Sequence, residues 1–312
     1  MIRLIVHRLL VSIPLLLAVT LLTYVLDSFA PGDVAATLPQ GQTSLKAYMA
    51  LRHKLGLDQP VMQQYGHWLM RALHGDLGTS YFSGERVVNL LNQRIGVTLS
   101  VVAGVLIVCV SAGLLLGALS ALRGGLVGRI IDVLSIAGLA FPSFWVALIL
   151  IEIFAVKLEW LPAIGYTSFF ASPRLWLMSL VLPVFAVALH SITSIAKQTR
   201  DSMGEIMGRD FIRALRASGL SETSVIWKHG LRNAALPVVT VIGLVMISAL
   251  GSTVFVERIF VLPGLGSLAV EAATNSDIAL LQGATLYFTL IVIAINLAVD
   301  VSYGWLNPKV RT

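Results

Sequence analysis

Read along its length, the chain alternates between long uncharged apolar runs and shorter polar connections. About twenty apolar residues cross the hydrocarbon of a bilayer as a helix. Six runs approach or exceed that length: Leu9 to Leu26, Ile95 to Leu122, Val133 to Ile151, Leu175 to Ala196, Ala234 to Val256, and Ile278 to Val299. Backbone groups in hydrocarbon must bond within their own segment, and these runs are too long for barrel strands, so the pattern predicts helices. The expected class is an all-α polytopic membrane protein with six transmembrane helices. Pro142 and Pro183 are expected to kink the third and fourth spans. Gly113 and Gly117 form a Gly-x-x-x-Gly pair in the second, and Gly243 and Gly251 lie in the fifth. Small residues let helices approach closely where water gives no drive for association.

Two polar stretches stand out. Residues 1–94 read as an anchor span followed by a large external segment. There Ser44 can cap a helix carrying Leu45, Tyr48, Leu51 and Leu55 and ending at Gly56. Val61, Tyr65, Trp68 and Ala72 repeat the pattern before Gly75-Asp76-Leu77-Gly78 breaks it. These amphipathic helices have three possible seats: the chain's own bundle, the membrane surface, or a soluble partner. Residues 95–312 form a five-span core interrupted by the second stretch, a polar island at 197–233. It reads as helix, turn, helix. Met207, Phe211, Ala214, Leu215 and Ser218 share one side, Arg209, Arg213 and Arg216 another. Gly219 ends the first helix and Ser221 caps the next, with Glu222 in its first turn, while Pro237 begins the following span. Two short soluble-type helices in so apolar a chain point to something that docks there. The alternative is a basic stripe resting on anionic lipid headgroups.

Composition agrees with the membrane class: 57% of the residues are hydrophobic and only 12% charged. The net charge of +6 is a topology signal rather than a nucleic-acid signal. With the N-terminus inside, cytoplasmic segments carry Arg3, Arg8, Arg123, Arg129, Lys197, Arg200, Arg209, Arg213, Arg216, Lys228, Arg232, Lys309 and Arg311. The two short outer loops carry Lys157, Arg174 and Arg258. Both termini are therefore expected in the cytoplasm. The first apolar run, although preceded by basic residues as in a signal peptide, is read as a retained anchor because Pro31 follows Ser28-Phe29-Ala30.

Candidate chemistry is sparse. No lysine is followed by Ser or Thr, which leaves no Walker A loop for ATP. The single cysteine, Cys109, lies in the second span as a packing residue. No HExxH pattern occurs, and His67 and His74 lack carboxylates at metal-site spacing. A membrane-bound enzyme would need a catalytic cluster that is missing here. Asp27, Glu152, Glu257 and Asp300 fall near the predicted ends of spans, where a charge costs least. No chain of acids crosses the membrane, which weakens a stand-alone proton-coupled transporter. His190 lies deeper. It is a candidate, with Phe141 and Ser143, for lining a substrate path, against the simpler reading of a satisfied packing residue.

Taken in order, several blocks resemble a known family over the whole chain. They are Arg8-Leu9-Leu10 with Pro14, Ala30-Pro31-Gly32-Asp33, Leu55-Gly56-Leu57-Asp58-Gln59-Pro60 and Gly75-Asp76-Leu77-Gly78-Thr79-Ser80. Then come Pro142-Ser143-Phe144-Trp145, Trp160-Leu161-Pro162, Arg213-Ala214 with Arg216 to Ser221, His229 to Pro237, Val256-Glu257 with Phe260, and Pro263-Gly264-Leu265-Gly266. The pattern is similar to the transmembrane permeases of bacterial ABC importers, in the B-type form of the dipeptide/oligopeptide/nickel branch. The resemblance implies the type I importer permease fold, seated in the bacterial inner membrane. It implies that the loop around Gly219 couples to an ATPase through Arg213, Ala214, Ala217, Gly219, Leu220, Ser221 and Glu222. The family's Glu-Ala-Ala stands here as Arg213-Ala214-Leu215. Implied partners are a second homologous permease, two ATP-binding subunits that hold ATP and Mg, and an extracytoplasmic substrate-binding protein. No cofactor is expected on this chain. The branch handles dipeptides, longer peptides and nickel chelates, and peptide is the expected cargo.

Overall fold

The computed structural model describes residues 2–29, 58–123 and 141–306, with the isolated positions 49, 53 and 133. Every regular element among them is helical: α1 (Ile2–Ser28), α2 (Val61–Leu73), α3 (Val87–Arg123), α4 (Ser143–Leu150), α5 (Pro173–Met207), α6 (Asp210–Ala217), α7 (Glu222–Ile259), α8 (Leu265–Thr274) and α9 (Ile278–Leu306). Among the described residues, α1, α3, α5, α7 and α9 are long and apolar enough to cross a membrane. The third predicted span falls partly outside the description. Its visible part is α4, which passes into a π-helical stretch, Ile151–Lys157. Pro142 is not inside this helix but at its N-cap, with φ −60° and ψ 144°, where its missing N–H costs nothing. The helix expected from Ser44 to Gly56 lies outside the described residues. Its companion forms as α2, with Tyr65 and Trp68 buried.

The chain divides into two compact units. One comprises Met1–Val6, Leu99–Leu262 and Ala294–Thr312. Here α3 lies against α5 through glycines. A Cβ on Gly113 would stand 2.7 Å from Ile195 Cγ2, and one on Gly117 would stand 2.5 Å from the Ala196 carbonyl oxygen. Gly243 is pressed in the same way against Val299, whereas Gly251 has nothing within 4 Å and mediates no close approach. Cys109 is buried in α3 as a packing residue. Glu257, placed by hydropathy at a cheap span end, is instead fully buried in α7.

The second unit comprises His7–Thr98 and Pro263–Ile293. Thr20, buried in α1, shares a 3.0 Å hydrogen bond with Tyr65 of α2, and its carbonyl accepts from Gln282 Nε2 of α9 at 2.8 Å. Tyr65 also stacks with Trp68 and meets Tyr24 edge-on. Gly75 and Gly78 have positive φ, so the Gly-Asp-Leu-Gly block turns the chain sharply into the segment that precedes α3. Ser80 Oγ then donates to Asp277 at 2.5 Å, and the other Asp277 oxygen accepts from the Leu280 N–H at the start of α9.

Candidate functional site

The polar island is less separate from the spans than its composition implies. The fourth span does not stop at Ala196: α5 continues to Met207, because a run of polar residues free of Pro does not end a helix. α7 likewise begins at Glu222, long before Pro237, which sits inside it. The second island helix and the fifth span are one rod, joined through a π-helical stretch, Val225–Gly230. Within it Asn233 Nδ2 donates to the His229 carbonyl at 2.7 Å, just upstream of the proline that cannot donate.

Among the described residues of the island, α6 alone is short and separate from a span. Asp210 occupies its first turn, where the helix dipole favours negative charge. Gly219, at φ +82°, closes it in the left-handed conformation. Ser221 then caps α7, its hydroxyl accepting from the Ser224 N–H at 3.4 Å. α6 is pinned by Ile212, which is fully buried among Ala118, Met203, Ile206, Val225 and Ala234, with Leu215 alongside. The side expected to be apolar is therefore only partly the buried one. Met207 ends α5, and Phe211, Ala214 and Ser218 are exposed. Ala and Ser offer little apolar area, so the branched Ile212 decides which face is covered.

The three arginines of the stripe each face a carboxylate. Arg209 pairs with Glu205 at 2.6 Å, Arg213 with Asp210 at 3.1 Å, and Arg216 forks onto Glu222 at 2.6 and 3.0 Å. The hydrogen bond to Glu222 raises the Arg216 pKa further above its ordinary value. These pairs neutralise the stripe locally, which disfavours a role as a plain anionic-lipid contact and favours a shaped surface. Arg213, Ala214, Ala217, Gly219, Leu220, Ser221 and Glu222 are all exposed, in one continuous turn. Phe211 and Trp227 add exposed aromatic surface. Sequence reasoning passed over Trp227, an aromatic residue inside a polar stretch.

A second feature lies within the spans of the same unit. Phe141, Ser143 and His190, expected along a substrate path, line one recess of about 420 Å³. Phe144, Ser191, Ser248, Ser252 and Phe255 complete much of it. The recess combines aromatic rings with hydroxyls and an imidazole, a lining that offers both polar and apolar contacts. Ser248, Ser252 and Phe255 follow helical spacing in α7, a signal the sequence carried and that reading by hydropathy missed. Among the described residues no group of His, Cys, Asp and Glu is placed to hold a metal.

Residues 113–312 match the family model described as binding-protein-dependent transport system inner membrane component, and residues 1–102 match its N-terminal companion. The chain belongs to this family. A peptide transport system permease protein of Brucella abortus (strain 2308) is 38% identical over 312 residues, spanning 100% of this chain and 99% of the relative. The peptide ABC transporter permease protein y4tP of Sinorhizobium fredii is 36% identical over 98% of each chain. The glutathione transport system permease protein GsiC of Escherichia coli O6:H1 is 35% identical over 100% of this chain and 99% of its own. As a permease of this family, the protein is a multi-pass inner-membrane component of a binding-protein-dependent transport system.

Proposed function

We propose that the chain is one permease of an ATP-driven importer for short peptides. It would work with a second permease, two ATPase subunits and an extracytoplasmic binding protein. The N-terminal 94 residues serve as an anchor and outer module, and residues 95–312 as the transport core. The cargo reading draws on the relatives, which are named for peptide or glutathione transport. The observation that carries the mechanism is the exposed turn centred on Gly219, held on a helix whose one buried anchor, Ile212, reaches Met203 of α5 and Val225 of α7.

In this reading an ATPase cleft receives α6 and the Gly219 turn, with Arg213, Ala214, Ala217, Leu220, Ser221 and Glu222 as contact surface. Closure of the ATPase pair moves that cleft. The motion passes through Ile212 into α5 and α7, which carry His190, Ser248 and Ser252 of the recess. Such coupling works only if the docked surface contacts the two states differently. The forked Arg216–Glu222 pair suits this role by bracing the turn against independent rotation. A loose lining of rings and hydroxyls fits a path that leaves selectivity to the binding protein.

The test is ATP hydrolysis by the complex that co-purifies with the tagged chain from its native membrane. Stimulation by a mixture of short peptides is expected. A complex extracted intact but lacking an ATPase would overturn the reading.

A further inference from the structure

Within the second unit, a recess of about 310 Å³ opens beside α2. Tyr24, Gln64, His67, Trp68, Arg71 and Tyr81 line it, with Ile278 and Ala279 as its apolar part. Its polar content is biased toward donors. Arg71 is exposed, and its guanidinium forms no ion pair among the described residues. Trp68 is 3% exposed and stacked on Tyr65, so it offers the recess ring surface rather than its indole N–H. The Tyr81 phenol is pushed up by burial and by the Asp277 charge, so it remains a donor at physiological pH. Two of the acceptors are already engaged: Gln64 Oε1 accepts from Tyr24 at 3.4 Å, and the Gln59 backbone carbonyl accepts from the Gln64 amide at 2.8 Å.

We propose that this recess binds the carboxylate of a small ligand, with Arg71 as its cation, Tyr81 as a neutral donor, and Trp68, Ile278 and Ala279 against its apolar body. A guanidinium fork matches a carboxylate in geometry and charge. Arg71 supplies a permanent positive charge, opposed by Asp277 and Asp27, whose charges also act on Tyr81, so a monoanion suits the recess better than a phosphate dianion. The volume suits the end of a short peptide rather than a folded partner. The site is distinct from the recess at His190 and rests on the reading of the chain as a peptide importer.

Titration calorimetry on the full-length chain in lipid nanodiscs tests it, with trialanine and trialanine amide as probes. Trialanine is expected to bind and the amide to bind at least about tenfold more weakly, the order of one charge-assisted hydrogen bond. Arg71→Gln should weaken trialanine to a similar degree, Arg71→Lys less, and Tyr81→Phe by a smaller factor. Arg71 is exposed and Tyr81→Phe removes a single oxygen from a half-buried ring, so these variants are expected to keep the fold, which circular dichroism checks. Equal binding of acid and amide, an unchanged affinity in Arg71→Gln, or no binding at all would overturn the site. Competition by inorganic phosphate as strong as by acetate would also overturn it, in favour of a general anion site. Carboxylate-blind binding together with peptide-stimulated ATPase removes the site and leaves the importer. Carboxylate-specific binding with no associated ATPase does the reverse.

Discussion

Gly219 has nothing within 4 Å of the place a Cβ would occupy, but its φ is +82°. Substitution there is governed by backbone strain and not by crowding. Left-handed conformation costs an L-residue about 1–2 kcal/mol, and a β-branched one more. Gly219→Ala is therefore expected to fold and transport with a modest loss. Gly219→Val reshapes the turn, and in membrane vesicles carrying the assembled complex it should hydrolyse ATP while peptide uptake falls. Uptake that stays proportional to hydrolysis in Gly219→Val would remove the turn as the coupling element. Asp277 poses the opposite case, because it is buried and its two oxygens serve different elements. Asp277→Ala strips Ser80 of its acceptor and α9 of its cap, a loss of about 2–4 kcal/mol. Asp277→Asn keeps the cap and should cost less. Thermal unfolding of the detergent-solubilised protein ranks the two, and equal midpoints would refute this account of Asp277.

The contacts of α3 with α5 make a sharper forecast for elements. A Cβ on Gly117 would meet the Ala196 carbonyl at 2.5 Å, and backbone cannot turn aside as a side chain can. Gly117→Ala should force the helices apart at a cost of about 1–3 kcal/mol. Gly251→Ala, with open space around it, should stay within about 0.5 kcal/mol of the wild type. A melting comparison that shows the two alike would refute the close-packing role. The same glycines show what was legible in the sequence. Gly113 and Gly117 announced an interface by spacing, and the long runs announced α1, α3, α5, α7 and α9 by length alone. Helix ends were not legible. Hydropathy stops at Ala196 and resumes at Ala234, but backbone hydrogen bonding continues to Met207 and starts again at Glu222, since polar residues propagate a helix as well as apolar ones. The π-helical stretches left no mark either, because widening one turn changes no residue's polarity. At the Gly219 turn, the positive φ of Gly219 and the Ser221 cap followed from residue type. The burial of Ile212 over the Phe211 edge did not, because it depends on which neighbours α6 meets. The three residues offered for the path, Phe141, Ser143 and His190, share a recess, yet Ser248, Ser252 and Phe255 escaped a reading that scored α7 only for its apolar length.

For the molecule as a membrane component, the length of α5 bears on how far the proposed docking turn stands from the bilayer. Its 35 residues span about 50 Å at 1.5 Å per residue, against a hydrocarbon thickness of about 30 Å. The apolar part, Leu175 to Ala196, is long enough to fill the membrane, which leaves Lys197 to Met207 to extend beyond it and hold α6 and the Gly219 turn clear of the lipid. The basic residues of this region are the ground for expecting that end in the cytoplasm. The opposite end begins at Pro173, preceded by Phe170, which is 95% exposed. Because Cys109 is the single cysteine and is buried, Cys109→Ala gives a quiet background for site-specific labelling. In intact spheroplasts a membrane-impermeant maleimide should label Phe170→Cys and leave Ser221→Cys unmodified. Opening the membrane should expose Ser221→Cys as well. Labelling of Ser221→Cys from outside would invert the topology and place the docking turn where no ATP is available, and the coupling mechanism would fall with it.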